Sequence, residues 1–273
     1  MAGELVYELE GIGYEYGGGI VALRDVSLDV RAGESIVLLG ANGSGKSTLL
    51  KIMDGLYFAT AGTVRAFGNI LTERLLADDA YALAFRRRVG FVFQDSDVQL
   101  FSPTVADEIA FGPLQLGLAP SAVAERVAEA LDLLHIRKLA ERPPYRLSAG
   151  EKKKVCLASV LSIRPEVLLM DEPTAGLDPR SRQALVEFIC QLRKQGNTVI
   201  TATHDLDIVE EIADRVFVMN EESGLAKVGT PAEVLADEEL LVAANLVHIH
   251  PHRHGALVHA HEHRHPLPHD HGH

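Results

Sequence analysis

Tryptophan is absent from this 273-residue sequence, aromatic residues make up 5% of it, and it has two cysteines, Cys156 and Cys190. The two cysteines are far apart and form no C-x-x-C pair, which argues against a disulfide framework or a zinc knuckle. We expect both to be small apolar residues of the core in a protein from a reducing compartment.

Long apolar segments are also missing, because no run approaches the roughly 18 residues of a membrane span. The N-terminal residues 1–5 show no signal-peptide pattern. We therefore expect a protein on the cytoplasmic side that can still dock on a membrane protein. A formal net charge of -12 argues against nucleic acid as a partner. The length allows one large domain or two small ones with a buried core.

The clearest motif is a glycine-rich loop, Gly40–Ser47, which fits G-x-x-x-x-G-K-[ST]. A buried-strand pattern, Ser35–Leu39, precedes it and a helical pattern, Ser47–Met53, follows it, which is the order that a phosphate-binding loop needs. Glycines let the backbone approach a polyphosphate, Lys46 supplies a positive charge, and the Ser47 hydroxyl can bind Mg²⁺. The residues assigned to ATP in this loop are Gly40, Ala41, Asn42, Gly43, Ser44, Gly45, Lys46, Ser47 and Thr48.

Polar residues follow three further apolar strand patterns: Gln94, the pair Asp171 and Glu172, and His204. Ligands of open α/β sheets bind beyond the carboxyl ends of the strands. The chemistry of phosphoryl transfer suggests that Asp171 holds Mg²⁺ or its water, that Glu172 polarises the attacking water, and that His204 donates to the γ-phosphate. We assign Gln94, Glu172 and His204 as catalytic, and Ser47, Gln94 and Asp171 as contacts of Mg²⁺.

Other features have a structural and a functional interpretation. Tyr16, beside a glycine turn, is either a core or surface aromatic or a platform on which an adenine ring stacks. Ser148–Glu151 is a helix-capping box, and Asp178 precedes Pro179 as a helix N-cap. Arg86–Arg88 is most simply a solvated run of charge.

Strand and helix patterns alternate from the glycine-rich loop to Met219, which predicts an α/β fold with a largely parallel sheet. The first thirty residues alternate polar and apolar, as in half-buried strands. From residue 247 the composition changes, and the segment 247–273 is predicted to be disordered. Its histidines are His248, His250, His252, His254, His259, His261, His263, His265, His269, His271 and His273.

Together these motifs make the chain resemble the ATP-binding-cassette (ABC) ATPases. In that resemblance Tyr16 stacks on adenine, Gln94 is the glutamine loop, Leu147–Glu151 is the signature sequence, Ala175–Asp178 is the D-loop, and His204 is the switch histidine. The resemblance implies a P-loop NTPase domain over residues 4–246. Its RecA-like core would carry an N-terminal antiparallel β subdomain and an inserted helical subdomain at about 97–163.

The family pairs two cassettes head to tail, as a homodimer or with a paralogue. The resemblance then implies that Ser148, Gly150 and Asp178 contact the ATP bound by the partner cassette. Two residues depart from the usual L-S-G-G-Q signature, because Ala149 replaces the first glycine and Glu151 replaces the glutamine. Glu151 brings negative charge near a phosphate site, which Lys152–Lys154 could offset.

Two further segments, Phe91–Val105 and Ile109–Pro113, look like the ATPase subunits of energy-coupling-factor importers, as does 229–246. That resemblance implies a transmembrane coupling protein and a substrate-binding membrane subunit as partners. It also places the chain at the cytoplasmic face of the membrane. The cobalt and nickel branch is the most similar, and imidazole suits Ni²⁺ or Co²⁺ bound on the tail.

Alternative interpretations remain at this point. One alternative is an importer whose transported solute is a vitamin or another compound. A second is a soluble cassette of repair or translation, although the sequence shows neither coiled-coil arms nor a second cassette. A metal-storage protein would not devote so much sequence to nucleotide chemistry. The tail has two alternative interpretations as well. One is a cloning tag, although its histidines alternate with Pro, Arg, Ala, Glu and Asp, and the other is a segment that binds metal without affecting transport.

Overall fold

A computed structural model of the chain describes residues 3–254 and 257–264. The strands in these ranges, in chain order, are β1 Leu5–Tyr16, β2 Ile20–Arg31, β3 Ser35–Leu39, β4 Ala61–Ala66, β5 Asn69–Ile70, β6 Val89–Val92, β7 Val167–Asp171, β8 Thr198–Thr203, β9 Arg215–Met219, β10 Leu225–Gly229, β11 Val247–His254 and β12 Leu257–Arg264.

The α-helices of the same ranges are α1 Lys46–Met53, α2 Glu73–Leu76, α3 Asp79–Arg88, α4 Val105–Gln115, α5 Pro120–Leu133, α6 Ala149–Leu161, α7 Pro179–Lys194, α8 Leu206–Ile212, α9 Pro231–Leu235 and α10 Glu238–Ala243. Each described helix is too short or too polar to cross a lipid bilayer.

The main sheet has six strands in the order β10-β9-β3-β8-β7-β6. All its neighbours pair in parallel except β10, which runs antiparallel to β9 at the edge. Every residue of β3, β6, β7 and β8 is buried, which explains their continuous apolar patterns. The predicted α/β fold with a mainly parallel sheet is confirmed.

A second, antiparallel sheet has the order β2-β1-β4-β5, in agreement with the alternating pattern of the first thirty residues. One core cluster lies between this sheet, α1 and one side of the main sheet, and includes Tyr7, Leu49 and Phe217. A second cluster lies under α6, α7 and α8 and includes Val155 and Ile189. Each face of the main sheet is therefore covered by packed apolar side chains.

Arg86–Arg88 is the last turn of α3, and its side chains are partly solvated as the sequence suggested but also bond other segments of the chain. Arg86 donates to the main-chain oxygen of Asp54 at 2.7 Å and pairs with its carboxylate at 3.0 Å. Burial raises the pKa of Asp54 to about 7, although the charge of Arg86 opposes this shift. Arg88 lies over the ring of Phe67 and bonds Glu166. The run therefore connects α3 to the end of α1 and to β7.

Strands β11 and β12 form an antiparallel hairpin where the sequence predicts disorder. Histidine alternates with other residues along both strands, and a period of two is the strand period. The prediction from composition did not take this alternation into account. The register pairs His248 with His263, His250 with His261, and His252 with His259. Residues 255–256 and 265–273 lie outside the described residues.

Candidate functional site

The strand order of the main sheet brings the predicted residues to one edge. The glycine-rich loop follows β3, His204 follows β8, and Glu172 follows β7. Because β8 pairs with both β3 and β7, these three segments leave the sheet side by side. Gln94 comes two residues after β6, which pairs with β7. The site therefore occupies the carboxyl ends of four adjacent parallel strands.

The glycine-rich loop has the backbone geometry of an anion nest. Gly45 is the N-cap of α1 with φ of 99° and no side-chain cap, so the first amides of the helix are open to a ligand. A Cβ on Gly45 would lie 2.4 Å from the main-chain oxygen of Ala22, which excludes other residues. Gly43 has φ of 86° and open space around it. The buried hydroxyl of Ser44 has no hydrogen-bond partner within the described residues. These features fit a bound polyphosphate.

Lys46 is buried at the first turn of α1. Its ammonium donates to the main-chain oxygens of Gly40 at 2.7 Å and Ala41 at 3.0 Å. It also lies 3.4 Å from Oε1 of Glu172, an ion-pair distance too long for a strong hydrogen bond. Burial lowers the pKa of Lys46, and the negative charge of Glu172 opposes that effect. Lys46 is therefore a cation held between two neutral main-chain oxygens and the carboxylate of Glu172.

Two of the three residues assigned to Mg²⁺, Ser47 and Asp171, meet beside Lys46. The hydroxyl of Ser47 donates to Oδ1 of Asp171 at 2.8 Å. Burial raises the pKa of Asp171, which the hydrogen bond from Ser47 partly counteracts. A hydroxyl and a carboxylate are the hard oxygen ligands that Mg²⁺ prefers, so this pair fits the ion. Gln94, the third assigned contact, is exposed on the adjoining strand end.

Glu172 lies at the centre of the candidate catalytic group. Its side chain is 4% exposed, and Oε2 is 3.0 Å from Nδ1 of His204. Burial raises the pKa of Glu172, but the hydrogen bond from His204 and the charge of Lys46 outweigh burial, so the pKa is lowered. Its φ of 43° is unusual for a residue other than glycine. The carboxylate is thus ionised and fixed between two groups that can be positively charged.

His204 is half exposed beside this buried carboxylate. The hydrogen bond with Glu172 raises the pKa of His204 above its usual 6.5, against the effect of burial. A raised pKa means that the pair stabilises the fold below about pH 6.5 and that this contribution disappears as the pH rises through the pKa of the folded state.

We expect the difference in Tm between wild type and His204→Gln to be largest at acidic pH and to shrink as the medium becomes alkaline, because only the charged imidazole pairs with Glu172. Scanning calorimetry across this range measures the difference. In a Glu172→Gln background the effect of His204→Gln should no longer depend on pH. An equal difference in Tm at every pH would contradict the ion pair.

Tyr16 belongs to an aromatic cluster near the phosphate loop. Its hydroxyl bonds Oγ1 of Thr48 at 2.8 Å, and its ring meets Tyr14 edge-on at 5.0 Å. Tyr57 stacks on Tyr14 at 5.4 Å. The sequence did not indicate that Tyr14 and Tyr57 belong to this cluster, because residues so far apart along the chain give no local signal of their contact. The bond to Thr48 attaches the Tyr16 ring to the helix that follows the loop.

Ser148, Gly150 and Asp178 form a second cluster at the start of α6 and α7. Ser148 caps α6 and bonds the carboxylate of Glu151, as the capping-box pattern predicts. Asp178 caps α7 through the amides of Arg180 and Ser181. A Cβ on Gly150 would lie 2.5 Å from Oγ of Ser181, so a larger residue there would displace this serine where α6 packs on α7. The structure groups these three residues apart from the contacts of Lys46.

Among the described side chains, no group of three or more His, Cys, Asp or Glu residues is arranged to hold a metal ion. Seven of the histidines predicted as tail ligands lie on the strands of the β11–β12 hairpin. Four fall outside the described residues: His265, His269, His271 and His273. Metal binding by the tail stays a prediction.

Comparison with known proteins identifies the family to which this chain belongs. The ABC transporter family model matches residues 23–175, more than half of the chain. The chain belongs to the ABC transporter family. Cassettes of this family bind ATP, with Mg²⁺, and hydrolyse it to power transport. The family predicted from the motifs is confirmed.

The cassette is similar to known importer ATPases. The nickel import ATP-binding protein NikO of Rhodobacter capsulatus is 52% identical over 244 residues, which cover 88% of this chain and 95% of that protein. The energy-coupling factor transporter ATP-binding protein EcfA of Methanothermobacter thermautotrophicus is 41% identical over 239 residues, or 88% of this chain and 75% of that protein. The predicted resemblance to energy-coupling-factor ATPases is therefore confirmed.

A solved structure shows the same architecture. CbiO1 of Clostridium perfringens, described as part of the ABC transporter complex CbiONQ, matches with a TM-score of 0.76 and 36% sequence identity. The match covers 89% of this chain and 95% of that one. The cassette is thus related to importer ATPases in both sequence and fold.

Proposed function

We propose that this cassette hydrolyses ATP to energise uptake of a transition-metal ion, nickel or cobalt, through an energy-coupling-factor-type importer. The observation that carries the proposal is the 52% identity to a nickel import ATP-binding protein across nearly its whole length. The histidine-rich segment agrees with such a substrate, because imidazole suits both ions. Import of a vitamin or another solute is the alternative.

The proposed roles at the ATP site follow from the contacts. The loop Gly40–Thr48 binds the phosphates, and Tyr16 stacks on the adenine. Ser47, Gln94 and Asp171 would hold Mg²⁺, and the ion would neutralise phosphate charge there. Glu172 polarises the attacking water and His204 donates to the γ-phosphate. The short contacts between Glu172 and His204 and between Ser47 and Asp171 support these assignments.

A second cassette, identical or paralogous, is the proposed partner at the signature sequence. Ser148 and Asp178 are exposed at helix N-termini, where amides favour an anion. Glu151 bonds Ser148, and the backbone amide of Ser148 is the main cause of its lowered pKa. Of the run Lys152–Lys154, which the sequence suggested could offset this charge, Lys152 and Lys153 bond other groups, and the basic side chains that lower the pKa of Glu151 are Arg142 and Lys138. Lys152 pairs with Asp97, and Lys153 donates to the main chain.

The proposed contact with the transmembrane coupling protein is the pair Phe101 and Phe111 together with two further exposed apolar residues of the same segment, Val98 and Leu114. Val98 is 70% and Phe101 66% exposed, and the rings of Phe101 and Phe111 meet edge-on at 4.9 Å. Solvation of such large apolar side chains is unfavourable, so exposed clusters of them mark contact surfaces. The buried carboxylate of Glu108 accepts the amides of Phe101 and Ser102, which fixes the segment. We place the cassette at the cytoplasmic face of the membrane, beside this partner and a substrate-binding membrane subunit.

The proposed domain division keeps residues 4–246 as the ATP-binding domain, with its helical subdomain at about 97–163. Helices α4, α5 and α6 fall inside that subdomain and pack on one another through Ile109, Leu131 and Leu157. Residues 247–273 form the proposed metal-binding tail.

Uptake of labelled Ni²⁺ and Co²⁺ tests the proposal in cells that carry the cassette with its membrane partners and lack other importers of these ions. Lys46→Ala should abolish ATP-driven uptake of one ion, because the phosphate loop loses its cation. Lys194→Ala, at the exposed end of α7, is the matched control and should leave uptake unchanged. Equal entry of both ions with and without Lys46 would overturn the metal proposal in favour of a vitamin or another solute.

Truncation after Val247 tests whether metal binding by the tail can be removed without loss of ATPase activity. The truncated protein should keep its basal ATPase rate and bind fewer Ni²⁺ ions in equilibrium dialysis. The same stoichiometry in the full-length and truncated proteins would refute metal binding by the tail.

A further inference from the structure

Lys153 is a buried cation with no carboxylate partner among the described ion pairs. It lies one turn into α6, is 3% exposed, and donates to the main-chain oxygens of Phe93 at 3.0 Å and Gln94 at 2.9 Å. Burial lowers the pKa of Lys153, and nearby acidic groups such as Asp171 oppose that shift. A buried ammonium is costly unless it is paired or hydrogen-bonded, and here two main-chain oxygens accept its hydrogen bonds.

The two oxygens are those of the first two residues after β6, where the chain leaves the main sheet. The last pairing of β6 is Val92 with Met170, so Phe93 and Gln94 have no strand partner for their polar groups. Buried main-chain groups need other partners. Lys153 satisfies the two oxygens, and Oε1 of Gln99 accepts the amide of Phe93 at 3.1 Å.

Gln99 connects the same segment to α6 a second time. Its Nε2 donates to the main-chain oxygen of Cys156 at 3.3 Å. Lys152 adds an ion pair with Asp97 at the surface. The segment from Phe93 to Gln99 is thus bonded to the helix that begins with the signature sequence.

We propose that Lys153 is a positioning residue that fixes the backbone of Gln94 to α6 and thereby sets how Gln94 reaches Mg²⁺. The proposal rests on the proposed contact between Gln94 and the ion. In this proposal Lys153 acts through the main chain of Gln94 and not by direct contact with nucleotide or metal. Its ammonium makes the placement of Gln94 depend on the same helix that carries Ser148.

Lys153→Met keeps the apolar stem and removes the donors, so it should raise the Mg²⁺ concentration for half-maximal ATP hydrolysis by about tenfold, as loss of an outer-shell partner does. The KM for ATP should change little, since Lys46 and Tyr16 are untouched. Lys153→Arg, which keeps charge and donors, should restore most of the response. The adjacent Lys152→Met is the matched control and should stay within about twofold of wild type.

Two readouts do not depend on turnover. In a Glu172→Gln background, calorimetry should show the same Mg²⁺ shift in ATP binding for Lys153→Met. Amide hydrogen exchange of residues 93–99 should be faster in Lys153→Met and not in Lys152→Met. If Lys153→Met fails to fold, Gln99→Ala breaks the other connection and should shift the Mg²⁺ response in the same direction.

Gln94→Ala distinguishes the possible failures. If it shifts the Mg²⁺ response and adding Lys153→Met shifts it no further, the two residues act through one contact. If Gln94→Ala shifts the response and a folded Lys153→Met does not, positioning by Lys153 is overturned. If Gln94→Ala has no effect, the contact of Gln94 with Mg²⁺ is overturned, and the proposal for Lys153 with it.

Discussion

Glu172→Gln is expected to bind ATP about as tightly as wild type and to lower kcat by a factor of about 10² to 10⁴, the usual range for a proton-transfer group. Glutamine keeps the size of the side chain, so the phosphate loop retains its shape. Its amide cannot polarise water as a carboxylate does. The lowered pKa of Glu172 means that this carboxylate is ionised at neutral pH in the wild type.

Steady-state hydrolysis and calorimetric ATP titration measure the two halves of that expectation. Glu210→Gln, an exposed acid on α8, is the matched control and should have wild-type kcat and affinity. Turnover at the wild-type rate in Glu172→Gln would refute the role assigned to this carboxylate.

Lys46→Ala is expected to weaken ATP binding on the order of 100-fold, the effect of truncating one member of a desolvated charge pair. Two consequences follow from the contacts of Lys46. The phosphates lose their cation, and the buried carboxylate of Glu172 loses an ion pair at 3.4 Å. The pKa of Glu172 should therefore rise in the variant.

Calorimetric titration with MgATP measures the loss of binding, and Lys194→Ala again serves as the control. Because an unpaired buried carboxylate is tolerated better when protonated, the Tm deficit of Lys46→Ala should shrink as the pH falls. ATP affinity close to wild type would show that Lys46 does not contact the phosphates.

The residues around the phosphate loop could be predicted because their signals are local. A loop of fixed spacing between a buried strand and a helix indicates a phosphate site without knowledge of the fold, and α1 begins at Lys46 as that motif requires. The helix caps at Ser148 and Asp178 are local in the same sense. Family membership followed from such motifs and their order along the chain.

Contacts between distant segments could not be predicted, because they depend on strand order. Only the placement of β8 between β3 and β7 brings His204 to Glu172 and Glu172 to Lys46. The two bonds of Arg86 to Asp54 and of Lys153 to Gln94 join residues 32 and 59 positions apart. A run of basic residues looks solvated until packing shows which of its members lie next to buried main-chain oxygens.

The sequence by itself determined the nucleotide chemistry, since that chemistry is encoded in short motifs with fixed residue types. Tertiary structure decided which groups share a charge environment, because pKa values and ion pairs depend on burial and on distances across the sheet. It also decided that the helix of the signature sequence and the loop of Gln94 are bonded through one buried lysine. The motifs are far apart in the sequence, and they form one site because the strands that precede them are adjacent in the main sheet.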